Sequence, residues 1–150
     1  MKKLFNVSMI VMSLWLGAAS AESSDVPSTR DHFFQTHGFV FFFASTCPYC
    51  HQFSPVLSQV SKRLGASVLP LSFDNQPLPE FQDVLPATSD WTTVAFKNAS
   101  IHYPALFITN PKTQALYPVS IGALNEMELT TRIEALIPKI MAYENTKVTA

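Results

Sequence analysis

Cysteine occurs twice in this chain, within the run Cys47-Pro48-Tyr49-Cys50-His51. Two thiols three positions apart can close into a small disulfide and reopen, which is the chemistry of thiol–disulfide exchange. The thiolate is the attacking species, and a sulfur at a helix start meets free backbone N–H groups and the positive end of the helix dipole. Cys47 is therefore expected to ionise more readily than a free thiol, whose pKa is ~8.5. Cys50 falls a turn further in and is expected to be less exposed. In this arrangement Cys47 attacks a substrate disulfide and Cys50 resolves the mixed disulfide. A purely structural bridge here would gain little, because a two-residue loop closes little chain entropy.

The same letters spell two other sites. Cys47-x-x-Cys50-His51 is also the pattern of covalent haem attachment, with His51 as an axial ligand. A second axial ligand would have to come from Met127, Met141 or His102, none with a distinctive context. The phenylalanine-rich run just before the motif and a hairpin expected later both speak against a small, mainly helical haem protein. A structural zinc site needs four ligands, so two cysteines and one adjacent histidine would need remote help from His32, His37 or His102. Those three histidines are expected as polar surface. The dithiol reading needs neither a metal nor a bound cofactor.

A pair of thiols can work in this way only if a rigid scaffold presents it. Phe39-Val40-Phe41-Phe42-Phe43 is a continuous apolar run of strand formers, bounded by Gly38 and by Ser45-Thr46. It reads as a central strand buried on both faces. Pro48 suits the first turn of a helix, with Thr46 or Cys47 at its cap. Phe53, Val56, Leu57, Val60 and Leu64 then form an amphipathic stripe that ends at Gly65. Pro55 lies inside that stripe and should kink the helix.

Val68 to Phe73 reads as a second strand, demoted by Pro70 towards an edge or a bulge. Asn75 to Pro86, with three prolines, reads as loop, and a helix capped by Ser89 or Asp90 runs through Trp91, Val94, Ala95 and Phe96. Ala105 to Thr109 and Ala115 to Ser120 form a hairpin around Asn110-Pro111-Lys112-Thr113. After Gly122, Asn125 and Glu128 form a capping box before Leu129, Ile133, Leu136, Ile137 and Ile140, with Pro138 kinking or ending that helix. The order is strand, helix, strand, helix, hairpin, helix.

The chain has 150 residues, 47% of them hydrophobic and 14% charged. That is enough apolar material for the core of one domain, and it excludes a disordered tail. With 10 basic and 11 acidic residues and no basic run, an electrostatic grip on nucleic acid is not expected. Residues 1–21 carry Lys2 and Lys3, an apolar stretch from Leu4 to Gly17, and Ala19-Ser20-Ala21 as a cleavage pattern. They read as a secretory signal peptide rather than a membrane anchor, since the apolar run is short for a span of ~20 residues. Its destination is an oxidising compartment such as the periplasm, where disulfides form and persist. The expected organisation is a signal over 1–21, an N-terminal lead over 22–37, one domain over 38–143 and a C-terminal tail over 144–150.

Taken together these residues resemble the thioredoxin-fold oxidoreductases over roughly Gly38 to Tyr143. The resemblance rests on Phe41 to Pro55, with the aromatic strand, the dithiol and a proline five residues past the second cysteine. It also rests on Tyr103-Pro104-Ala105-Leu106-Phe107, where the family places a cis proline facing the dithiol, and on Ile121 to Leu129, its closing segment. Phe42 to His51, on a short mature chain, is similar to the thioredoxin-like thiol–disulfide isomerases of F-type conjugative plasmid transfer systems. The resemblance implies an α/β fold with a central mixed β-sheet flanked by helices. It also implies a periplasmic enzyme that corrects disulfides in proteins of the conjugative pilus and type IV secretion machinery. Such an enzyme needs a thiol reductant partner in the membrane or periplasm to keep its dithiol reduced.

Within that resemblance Cys47 and Cys50 are the catalytic pair. Pro48, Tyr49 and His51 tune its redox poise, and Tyr103 and Pro104 bind extended substrate chains by backbone pairing. Two departures stand out. Phe41 occupies the place where many thioredoxins carry a buried acid, and no acidic residue lies between Asp31 and Asp74. Tyr103 stands where smaller residues are common. Enzymes of this fold span about −270 to −120 mV, so poise separates oxidase, isomerase and reductase. The alternatives left open are the haem electron-transfer protein and a non-catalytic assembly module of the same fold. The short lead leaves no room for a separate dimerisation domain, so a monomer is expected.

Overall fold

The computed structural model describes residues 29–97 and 99–148. The signal expected over 1–21 and residues 22–28 of the lead lie outside the described residues. The elements are α1 (Thr29–Phe34), β1 (Gly38–Phe43), α2 (Pro48–Leu64), β2 (Val68–Ser72), β3 (Leu85–Pro86), α3 (Ser89–Phe96), β4 (Ala105–Asn110), β5 (Ala115–Ile121) and α4 (Glu126–Val148).

The five strands form one sheet in the order β3-β2-β1-β4-β5. β1 pairs in parallel with β2 and antiparallel with β4, so the sheet is mixed and β1 lies at its centre. Every residue of β1 is buried. Because side chains alternate across a strand, Phe39, Phe41 and Phe43 enter the core beneath α1, α2 and α4, and Val40 and Phe42 enter a second core with Phe96 of α3. A strand buried on both faces must be apolar throughout, which accounts for its composition.

β2 is flanked by β3 only at Leu71 and Ser72, so Pro70 falls where β3 makes no pairing. This is the edge-like setting expected for a strand proline. The two-residue β3 lies within the stretch expected as loop; its pairing depends on β2 rather than on any pattern of its own. Residues 106–107 face a register shift in β5, where Leu106 pairs with Ser120 and Phe107 with Pro118.

Helix α2 runs unbroken through Pro55 to Leu64, and Gly65 takes the left-handed conformation (φ 62°) that closes it. The cap of α3 is Thr88, not Ser89 or Asp90, which are its first two helical residues. Asn125 and Glu128 make the reciprocal capping box, each side chain accepting the other's backbone N–H at 2.9 Å. Pro138 does not end α4, which continues to Val148.

Two expected boundaries shift. The lead contributes α1, whose Phe33 and Phe34 are buried in the larger core. The tail expected from residue 144 is helical through Val148, and Glu144 accepts hydrogen bonds from Tyr117 Oη at 2.8 Å and Asn110 Nδ2 at 2.9 Å and lies 3.2 Å from His37 Nε2. His37 is therefore not surface: it is 7% exposed and stacks on Phe33. No helix among the described residues is long and apolar enough to cross a membrane.

Candidate functional site

β1 ends at Phe43, and the chain turns through Ala44 to Thr46 before α2 begins. The Cys47 N–H closes that turn on the Ala44 carbonyl at 3.1 Å. Cys47 is the N-cap of α2, and Pro48 follows at the first helical position, where its missing N–H leaves no donor unpaired. The Cys47 Sγ accepts the backbone N–H of Cys50 at 3.2 Å. A serine or aspartate would make the same contact at an ordinary cap. The first turn of α2 holds no acidic residue, so nothing competes with the sulfur for the positive end of the helix.

The two thiols are free and differ in access: Cys47 is 9% exposed and Cys50 is 0% exposed. Burial pushes the Cys50 thiol up to about 12, reinforced by its hydrogen bond with Cys47 and by the charges of Cys47 and Asp74, against the Ala44 backbone, which acts to lower it. The inner sulfur is therefore held in its protonated form, while the outer sulfur accepts a backbone N–H at the start of the helix. Covalent haem attachment needs both sulfurs reachable. A Cys50 with no exposed surface at the base of a helical turn does not fit that chemistry. Among the described residues no three His, Cys, Asp or Glu side chains form a metal-ligand set.

The loop before β4 faces the dithiol. The Tyr103–Pro104 bond is cis, and the Tyr103 carbonyl lies 4.0 Å from Cys47 Sγ. Pro104 is buried, and its carbonyl accepts the Gly122 N–H at 2.7 Å. Gly122 adopts φ 97°, a conformation open to glycine, as it turns the chain out of β5. The segments before β4 and after β5 are thereby tied beside Cys47.

Of the residues singled out in the sequence, Cys47, Cys50, Tyr103 and Pro104 thus come together. Tyr49 is 64% exposed and projects from the first turn of α2. His51 meets neither sulfur in the hydrogen bonds observed; its Nε2 lies 2.6 Å from the Ser45 carbonyl. Its side chain thus bears on the turn, while its backbone N–H donates to the Cys47 carbonyl at 3.2 Å.

Phe41 is fully buried and packs on Phe53, so no acid stands on β1 beneath the dithiol. The acid near the site is Asp74, just past β2, which the sequence reading did not single out. It accepts the Ser45 N–H and hydroxyl at 2.8 and 2.7 Å. Burial alone would raise this carboxyl, but the hydrogen bonds from Ser45, Ser72 and Gln76 prevail and lower it to about 2. Its one signal in the sequence is local: an aspartate whose side chain takes the N–H two residues on, at Gln76, is an Asx turn. Phe73, beside it, places its ring 5.4 Å from that of Tyr103.

The chain matches the family model described as TraF, F plasmid transfer operon protein, over residues 19–134. It is 33% identical over 98 residues to Protein TrbB of Escherichia coli (strain K12), a match covering 65% of this chain and 54% of that protein. The chain thus spans about half the length of this curated relative. Among solved structures it is similar to a thiol:disulfide interchange protein of the thioredoxin family from Chlorobium tepidum TLS, with a TM-score of 0.53 at 18% identity over 71% of this chain and 83% of that one. The fold is thioredoxin-like: a mixed α/β sheet flanked by helices, as the motifs implied.

Proposed function

The chain belongs to the TraF family of F plasmid transfer operon proteins, and we propose that within it this protein is a thiol–disulfide oxidoreductase working as a disulfide isomerase. The observation that carries the reading is the asymmetry of the dithiol. Cys47 keeps 9% of its surface exposed and its Sγ accepts the Cys50 N–H, while Cys50 has no exposed surface.

The chemistry follows from that asymmetry. The Cys47 thiolate attacks one sulfur of a substrate disulfide; the Cys47–substrate bond forms, the substrate S–S bond breaks, and the other substrate sulfur leaves as a thiolate that takes up a proton. Two routes then compete. If a second substrate thiolate attacks the mixed disulfide, a new substrate disulfide forms and the Cys47 thiolate returns, with no net transfer of electrons. If Cys50 loses its proton to solvent and attacks Cys47 Sγ, the Cys47–Cys50 disulfide forms and the substrate leaves with two electrons gained. A buried, protonated Cys50 slows the second route, which supports isomerisation over reduction.

The substrates we propose are disulfide-bonded proteins of a conjugative pilus and type IV secretion system in the periplasm. The name of the matching family and the likeness to TrbB support this, together with the export signal expected over 1–21. The extended substrate lies along the Tyr103-Pro104 segment, with the exposed rings of Tyr103 and Tyr49 as apolar contacts. A thiol reductant partner in the same compartment restores the dithiol after each escape by reduction. The test is refolding of a scrambled multi-disulfide protein by the reduced protein and by its Cys47→Ser variant. Reshuffling that vanishes in the variant supports the isomerase. Net reduction of the substrate without reshuffling would make the protein a reductase instead.

A further inference from the structure

The turn that delivers Cys47 is held from two sides through one residue. Ser45 gives its backbone N–H and its hydroxyl to the same oxygen, Asp74 Oδ2, at 2.8 and 2.7 Å. Its carbonyl pairs with His51 Nε2 at 2.6 Å. A carbonyl can only accept, so that nitrogen is assigned the proton. The other oxygen of Asp74 takes the Ser72 hydroxyl at 2.8 Å and the Gln76 N–H at 3.3 Å. A carboxylate serving only its own turn would use that second oxygen alone. Here the first oxygen reaches across to a different loop, two residues before the reactive sulfur.

We propose that Asp74 is a positioning residue for the dithiol: acting through Ser45, with His51 pulling on the same residue from α2, it fixes the turn that places Cys47 Sγ between the Cys50 N–H and the Tyr103 carbonyl. The proposal rests on the reading of Cys47 as the attacking sulfur. Hydrogen bonds to an ionised acceptor are about twice as strong as neutral ones, and two of them on one residue constrain its position and orientation together. The carboxyl is held at about 2, with burial opposing and the Ser45, Ser72 and Gln76 hydrogen bonds prevailing, so the strap is charged wherever thiol exchange runs. For the same reason Asp74 takes no proton from Cys50; beyond the charge by which it helps to raise that thiol, its part is geometric.

The strap also accounts for the sequence around it. A serine at position 45 supplies two donors to one acceptor, and an alanine there would supply one. A histidine at position 51, one helical residue beyond the second cysteine, is within reach of the Ser45 carbonyl because the helix starts by turning back over the loop.

The test reads Cys47 directly, through its alkylation rate with iodoacetamide at neutral pH, beside the urea midpoint of the full chain. Asp74→Ala is expected to slow alkylation roughly tenfold, since displacing a reacting group by about 1 Å can cost up to ~100-fold. Asp74→Asn keeps an acceptor oxygen for Ser45 and is expected to recover to within about threefold of the parent rate, whatever either variant does to the urea midpoint. A folded Asn variant as slow as the Ala variant, or parent-like rates in both, overturns the proposal. Should Asp74→Ala fail to fold, Ser45→Ala leaves the Asp74–Gln76 turn in place and carries the same test: a slowing of roughly threefold supports the strap and an unchanged rate overturns it. Alkylation needs no substrate protein. A parent that fails to reshuffle disulfides yet shows this pattern would defeat the functional reading alone.

Discussion

The backbone N–H of Cys50 points at the sulfur of Cys47, 3.2 Å away, while the sulfur of Cys50 itself has no exposed surface. One cysteine thus supplies the other with a hydrogen bond through its main chain and withholds its own side chain from solvent. The reactivity of the pair should follow this division.

Replacing Cys47 by Ser should abolish exchange with a substrate disulfide, by about a thousandfold or more, as expected when an essential nucleophile is lost. Cys50→Ser should instead trap the protein as a mixed disulfide with its substrate, visible on a non-reducing gel and released by dithiothreitol. Equal trapping by the two variants would reverse the assigned roles.

Because burial first, and then Cys47 and the nearby charges, hold the Cys50 thiol up at about 12, alkylation at pH 8 should mark Cys47 and leave Cys50 unmodified. In the Cys47→Ser variant, where burial persists, Cys50 should react at least about tenfold more slowly than Cys47 does in Cys50→Ser. Mass spectrometry of the labelled peptides decides the matter.

The same burial fixes the sign of the alkaline response. A thiol whose folded-state value lies above the ordinary 9.0 favours the folded state below pH 9, and that contribution is lost as pH rises towards about 12. Tyr117, raised by burial and by its hydrogen bond to Glu144, acts in the same direction above pH 10. The urea midpoint should therefore fall above pH 9, and Cys50→Ala should flatten the fall, or the assignment of the buried thiol as its source is wrong.

Glu144 acts on the acid side, alongside Asp74. Burial would raise its carboxyl, but the hydrogen bonds from Asn110, Tyr117 and His37 lower it below 4.5. Its stabilisation is therefore present above pH 4.5 and is lost as pH falls through the lowered value. Glu144→Ala leaves the Asn110, Tyr117 and His37 side chains without this partner and should cost about 2–3 kcal/mol at neutral pH, read from urea unfolding. Dithiol chemistry, at the other end of β1, should be unaffected.

If Tyr103 and Tyr49 form the apolar rim, then Tyr103→Ser and Tyr49→Ser should each raise KM for a polypeptide disulfide severalfold, roughly 1 kcal/mol of contact per ring. The rate with a small-molecule disulfide should stay within about twofold of the parent. A KM unchanged in both variants would place the substrate elsewhere.

Much of this arrangement was legible in the residues. The run Phe39 to Phe43 reads as a strand covered on both sides, and Pro48 after Cys47 suits the first turn of a helix, so the position of the dithiol follows. What escaped was decided by partners distant in sequence. Leu85-Pro86 is a strand only because β2 offers an edge to it. His37 is expected as polar surface because the carboxylate that meets it, Glu144, lies 107 positions later. Asp74 carries no role legible in the sequence because the residue it holds, Ser45, lies 29 positions earlier. Helix α4 passes Pro138, where propensity predicts a stop, because Ile133, Ile137 and Ile140 bury its face against the core on both sides of the break.

The buried inner sulfur makes the molecule its own gauge of integrity. A small electrophile can meet Cys50 only when the start of α2 comes away from the sheet. The slow appearance of a second label after the first would therefore count openings of the domain, one molecule at a time, with no dye or tag added.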